Sequence, residues 1–283
     1  MAQAVLRTLL KDAAYRAATS ILGDSDGLVR LPVISGPARG LRFKLDLVHR
    51  KEAYFWGKYD RSLIERFAPI VQPGWVVWDC GTYIGFYTGI FGRLVGPSGT
   101  VVAIEPDPRN LRRTQENMKL NGLLNIRYEN VAVGKPCGEA EFLLKDNSNS
   151  HLPGYYVARN RDKMLSEEAQ LKRIRIPCFS LDQLYLDRAL PKPNLIKLDI
   201  EGAEKDGLSF AGRLVSEARP VIVLELHNRE CDEAAWYFAQ NVGYRIISLE
   251  SGLPLIRKED VMGTLLLTTE AMHSHPHEAA YTR

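Results

Sequence analysis

An α/β fold, with a central, mostly parallel, seven-stranded sheet and helices on both faces, is predicted by three features of the sequence. Short apolar runs alternate with helical stretches from residue 75 to residue 267. Several of these runs are apolar throughout, as in parallel strands covered on both sides. Acids and glycines follow the ends of the runs, where an open sheet of this kind binds its ligands.

The elements follow in order. Val5, Leu6, Leu9, Leu10, Ala13, Ala17 and Ile21 share one helical face. That face is expected to pack on the domain or on a twin subunit, which makes a homodimer one expected assembly. Leu28–Ser35 and Leu41–Leu47 read as short strands punctuated by Gly36, Pro37 and Gly40. A helix is expected from Asp60 to Ile70, stopped near Pro73-Gly74. Strands are predicted at 75–79, 100–104, 125–129, 194–199, 220–226 and 244–249, and Leu265–Leu267 adds a last one. Helices are predicted at 84–94, 108–121, 203–217 and 231–241. Residues 1–71 are thus expected as an N-terminal appendage of a helix and short strands. Residues 72–270 form the main domain and 271–283 a flexible tail, in spite of its His273, His275 and His277. The stretch 145–173 is long, polar and poorly periodic, and is expected as an insertion that covers a ligand.

Composition narrows the function. With 283 residues, 45% of them apolar, the chain can bury a large core. A net charge of +3 does not call for nucleic acid. The four cysteines, Cys80, Cys137, Cys178 and Cys231, form no CxxC pair, which fits a reducing compartment and no zinc site. Lys11, Asp12 and Arg16 interrupt any leader-like apolar centre, and no apolar run is long enough to span a membrane. A cytoplasmic protein is expected.

The stretch WDCGTYIGFYTG, residues 78–89, follows the apolar run Trp75–Val77. Its turn, Asp79-Cys80-Gly81-Thr82-Tyr83-Ile84-Gly85, lies at the carboxyl end of a predicted strand. Glycine lets a backbone turn tightly and approach a ligand closely. A dinucleotide pyrophosphate normally takes G-x-G-x-x-G there, and this turn has only two glycines. A carboxylate also opposes a phosphate: two like charges about 4 Å apart repel by about 4 kcal/mol at an effective dielectric of 20. Asp79 suits a ligand with positive charge, such as the ammonium and sulfonium of S-adenosylmethionine. The next strand, Val101–Ile104, ends in Glu105-Pro106, and an acid at that place accepts from ribose hydroxyls. The loop Asn130–Ala132 would meet the adenine. The cofactor-binding set is Asp79, Gly81, Thr82, Tyr83, Gly85, Glu105, Pro106, Asn130 and Ala132.

The sequence here resembles the FkbM family of methyltransferases. The matching stretches are VVWDCGTYIGFYTG, GTVVAIEPDPRNLRRTQENMKLNGL, NVAVG, SLDQL, NLIKLDIEGAE and VIVLEL, spread over about 72–226. SGPARGLRF and YFWGKYD upstream are also similar. The family commonly reads D-x-G-A-N-x-G, and Thr82-Tyr83 stand here in place of Ala-Asn. The resemblance implies a Rossmann-like class I methyltransferase fold. It also implies transfer from S-adenosylmethionine, usually to a hydroxyl of a sugar or natural-product scaffold. The partner would then be a small-molecule or glycan acceptor, with no nucleic acid.

On the acceptor side, alternation puts Lys197 and Asp199 on one strand face. Either they form a self-satisfied ion pair, or Lys197 sets the charge of Asp199 beside the reacting methyl. Glu201 and Glu204 favour the start of the next helix. Glu225 and His227 emerge together at the end of the following strand. His227, Asp199 or Glu225 would take the hydroxyl proton. In a second mechanism Asp199, Glu225 and His227 hold magnesium or manganese. No ligand spacing fixes such a site, and a resident metal is not expected.

Three rival readings remain. A nicotinamide dehydrogenase is opposed by Asp79 and the missing glycine. A nucleic-acid base methyltransferase is opposed by Asp199-Ile200-Glu201-Gly202, where such enzymes often carry Asn/Asp-Pro-Pro-Tyr/Phe. A binding-only subunit that kept the pocket is left open by Tyr83 in place of Asn.

Overall fold

The computed structural model describes residues 13–47, 52–136, 138–145, 155–157 and 171–269. Residues 13–22 are helical (α1). An antiparallel hairpin follows, β1 (Val29–Pro32) with β2 (Arg42–Leu45), then α2 (Glu52–Trp56) and α3 (Arg61–Phe67). The helix expected to reach Ile70 gives way after Phe67 to a 3-10 turn, because Pro69 has no N–H to continue it.

The main sheet has seven strands, in the order β5 (Ile126–Glu129), β4 (Thr100–Ile104), β3 (Val76–Cys80), β10 (Leu195–Leu198), β11 (Val221–Glu225), β13 (Thr264–Thr268), β12 (Arg245–Ser248). The first five run parallel, and β13 is antiparallel to both neighbours. The predicted α/β class is therefore found. From β3 the chain builds outward through β4 and β5, then returns to β10 on the other side of β3. That reversal opens a crevice at the carboxyl ends of β3 and β10.

Alternation along β3 divides the core. Val77 joins the side that carries α4 (Phe86–Val95), with Ile90 and Phe91. Phe43 and Leu45 of the hairpin and Phe67 of α3 lie in the same apolar mass, so the hairpin and α3 share the core of the sheet. Trp78 joins the opposite side, with Leu184 of α6 (Leu181–Leu186) and Leu214 of α8 (Gly212–Ala218). Its indole N–H donates to the Pro191 carbonyl at 2.9 Å. The side chain of Asn117 in α5 (Pro108–Leu120) ties helix to hairpin: it accepts from the Lys44 amide and donates to the Ile84 carbonyl, both at 2.8 Å.

Two elements differ from expectation. The helix expected over 203–217 is α7 (Glu204–Ser209) followed by α8. The Asp182 carboxylate accepts from the amides of Arg213 and Leu214, so a side chain from α6 starts a new helix there. A second, four-stranded sheet also appears: β6 (Ala132–Val133), β9 (Leu171–Phe179), β7 (Gly138–Lys145), β8 (Tyr155–Val157). Its signal is the alternation Ile174, Ile176, Cys178, whose side chains gather with Phe142. Of the stretch 145–173, only the residues in β7, β8 and β9 are described. Its remainder, the first twelve residues and the histidine-bearing tail lie outside the described residues. Among the described residues, no helix is long and apolar enough to cross a membrane.

Candidate active site

The crevice contains a cavity of about 210 Å³. Gly81, Tyr83, Ile104, Glu105 and Pro106 form one wall, with Val131–Val133 beyond them. Asp199, Ile200, Glu201 and Ala203 form the other. Tyr54 and Tyr59, stacked at 4.2 Å between ring centroids, reach it from the α2 segment, and Phe142 reaches it from β7. These three aromatics are not among the residues singled out from the sequence. Their approach depends on long-range folding, and the only local hint is the apolar content of YFWGKYD.

Gly81, at φ +87°, is required by close packing: a Cβ there would stand 1.8 Å from the Asp199 carbonyl oxygen. The two strand ends can meet only because this residue has no side chain. Gly85, at φ +81°, faces away from the cavity, and a Cβ there would meet Thr114 at 2.7 Å and Met118 at 3.2 Å. It serves helix packing between α4 and α5. Between them Tyr83 has φ +53°, a region that Asn enters far more readily than Tyr.

Glu105 is buried, 1% exposed, yet lines the cavity. Its Oε2 accepts from the Tyr83 amide at 2.8 Å and its Oε1 from the Asp107 amide at 2.9 Å. The carboxylate is thereby fixed between two loops at the cavity wall. Asn130 does not line the cavity. Its side-chain amide donates to the carbonyls of Glu105 and Pro106, clasping one loop to the next. Thr82 is buried, with its hydroxyl 3.4 Å from that of Thr114. Ala132 lines the cavity in β6.

Asp79 is placed differently from the ligand-facing carboxylate expected. It is fully buried and absent from the cavity lining. Thr88 donates its hydroxyl to Asp79 Oδ2 at 2.6 Å, and Lys197 is its register partner on β10. The reason is topological: β10 brings a cation beside Asp79 from far along the chain. Lys197, 4% exposed, donates to Asp199 Oδ2 at 2.7 Å and lies 4.6 Å over the Tyr87 ring. Burial opposes its charge, but Asp199 and Asp79 outweigh burial and hold the ammonium above its usual range. Tyr87 in turn donates its hydroxyl to Asp60 Oδ2 at 3.0 Å.

Beside Asp199 stands His227. Its Nδ1 lies 3.0 Å from Glu204 Oε1, and the Glu204 side chain is wholly buried. Glu204 also accepts from the amides of Ile200 and Gly202, so it opens α7 as expected while orienting the imidazole. His227 Nε2 lies 3.7 Å from Asp199 Oδ1, 3.7 Å from Glu201 Oε2 and 3.8 Å from Glu225 Oε1. Burial opposes the imidazolium, but the Glu204 hydrogen bond and the surrounding carboxylates raise the His227 pKa to about 9. Burial and the Asp199 charge raise that of Glu225 to about 7. Asp199 lines the cavity, whereas Lys197, Glu225 and His227 stand behind it.

Residues 79–246 match the family described as the Methyltransferase FkbM domain. The chain is 25% identical over 191 residues to Methyltransferase 1 of Beauveria bassiana, covering 62% of this chain and 70% of that protein. It is 27% identical over 154 residues to the hexuronic acid methyltransferase AglP of Haloferax volcanii, covering 54% of this chain and 56% of that one. The crystal structure of an FkbM methyltransferase from Methylobacillus flagellatus aligns with 74% of this chain and 54% of its own, at 18% identity and a TM-score of 0.43. The family match extends over more than half of the sequence, and the chain belongs to the FkbM methyltransferase family.

Proposed function

We propose that the protein transfers a methyl group from S-adenosylmethionine to a hydroxyl oxygen of a sugar or sugar-bearing natural product. One observation carries this reading: a single cavity at the sheet reversal has a fixed carboxylate suited to ribose on one wall and a carboxylate group suited to a hydroxyl on the other. Ribose hydroxyls would donate to Glu105, and Ile104, Pro106, Val131 and Val133 offer apolar contacts to adenine. The methionine end would extend along Gly81 and Tyr83 towards Asp199. Asp79 acts at one remove, by holding Lys197, which holds Asp199.

S-adenosylmethionine, held by Glu105, Gly81 and Tyr83, would supply the methyl group, with the carbon–sulfur electron pair going to sulfur as the acceptor oxygen bonds the carbon. Asp199, which faces the cavity, would take the hydroxyl proton. Holding oxygen and methyl in line contributes up to about 7–11 kcal/mol, and a positioned base about 10²–10⁴-fold. The AglP relative, named for hexuronic acid, supports a sugar acceptor. The test is methyl transfer from labelled S-adenosylmethionine to a panel of sugars and glycosides, comparing wild type with Asp199→Asn. Labelled O-methyl product, reduced at least a hundredfold in the variant, is expected. Labelling of nucleic acid, or of no hydroxyl acceptor, would overturn the reading.

A further inference from the structure

We propose that Asp199, Glu201 and His227 form a divalent-cation site at the edge of the cavity, of a kind that manganese fits. One ligand atom from each lies within 4.8 Å of the other two. A cation bonded at about 2.0–2.5 Å brings adjacent ligand atoms to about 3–4 Å from one another, close to the 3.7 Å that separates His227 Nε2 from both carboxylates.

The imidazole is held as a metal-ligating histidine is held. Its Nδ1 donates to the buried Glu204 carboxylate, which fixes the ring plane and turns the other nitrogen outward. Glu204 is itself anchored by two backbone amides, so the orientation does not depend on a mobile side chain. Asp199 is held by Lys197 through one oxygen, and the other faces His227. Glu201 sits in the turn after β10 at φ +54°, a backbone conformation that aims its carboxylate back at His227.

A second feature places this group at the cavity. Asp199 and Glu201 also line the cavity, so a cation they hold would have a coordination position open towards its contents. Carboxylates suit magnesium, calcium and manganese, and imidazole suits the later transition metals; the mixed set favours manganese. The site deepens the hydroxyl-transfer reading, on which only its catalytic use depends: a cation there would lower the pKa of the acceptor hydroxyl. Glu201 takes the place that the sequence suggested for Glu225.

Manganese binding tests the site without any methyl transfer. The chelator-treated full chain is titrated with MnCl₂, following free manganese by electron paramagnetic resonance. Saturation at one manganese per chain is expected, with at least tenfold weaker binding in His227→Ala and in Glu201→Gln. Glu201 is half-exposed, so its variant should fold even if the histidine variant does not. Glu259→Gln, in the 3-10 turn Lys258–Asp260 and outside this ligand group, should bind as wild type does. No saturable binding, or equal affinity in Glu201→Gln and wild type, overturns the site. Manganese binding without methyl transfer would leave the site standing and refute only the transfer reading.

Discussion

Glu204 and His227 are joined by a 3.0 Å contact between a wholly buried carboxylate and Nδ1 of a partly exposed imidazole. The contact decides which way the other imidazole nitrogen faces. Glu204→Gln keeps an oxygen to accept from the Ile200 and Gly202 amides but removes the charge opposite Nδ1. We expect a loss of about 1–2 kcal/mol of stability at neutral pH, where the charge of Glu204 faces an imidazolium, and a smaller loss above the His227 pKa of about 9. Methyl transfer should fall by about 10–100-fold, the usual effect of losing such an orienting partner. Kinetics and denaturant unfolding on the same samples check this. A methyl-transfer rate that falls only in proportion to the unfolded fraction would assign Glu204 a purely structural role.

Lys197 is buried between Asp79 and Asp199, and Asp79 has no access to the cavity. Lys197→Met should cost about 3–5 kcal/mol, the penalty for leaving a buried charge without its partner. Adding Asp79→Asn should recover at least half of that loss. Denaturant titration of the two single variants and the double gives the coupling. Purely additive effects would mean that Asp79 and Lys197 do not act as a pair.

Gly81→Ala should disrupt the join between β3 and β10, because its Cβ would overlap the Asp199 carbonyl. The left-handed φ adds about 1–2 kcal/mol for any L side chain. We expect a loss of more than about 3 kcal/mol, a size tied to clash and backbone strain together. Gly85→Ala should also destabilise the fold, by displacing Thr114 and Met118. Thermal unfolding reports both effects. A Gly81→Ala protein as stable as wild type would contradict the packing described.

Asp60 offers a test by pH. Burial raises its pKa, against the Tyr87 hydrogen bond and the Lys197 charge, so the fold disfavours its ionised form. For an acid raised in this way, the penalty is complete above the folded pKa and is relieved as pH falls towards the unfolded value near 3.8. Asn cannot ionise, can still accept from Tyr87, and tolerates the left-handed φ of +45°. Asp60→Asn should therefore unfold a few degrees above wild type at pH 7, with the gap closing in acid. A gap that widens in acid would reverse the sign of the effect.

The strands of the main sheet were legible because each is a short apolar run bounded by turn residues, and an acid marks the end of β3, β4 and β10. Alternation alone put Lys197 and Asp199 on one face, and they meet at 2.7 Å. What escaped depends on contacts distant in sequence. Nothing near Asp79 shows that Lys197 will bury it, or that Gly85 will face Thr114. Glu204 reads locally as the first-turn acid of a helix, which it is; its second role appears only when β11 delivers His227. Tyr54, Tyr59 and Phe142 enter the cavity from elements that no local period connects to it.

Calorimetric titration of S-adenosylhomocysteine into the purified protein tests the central claim most directly. The account predicts micromolar binding, reduced about tenfold or more by Glu105→Gln, a loss of at least about 1.4 kcal/mol. Absence of binding, or equal affinity in wild type and Glu105→Gln, would contradict it.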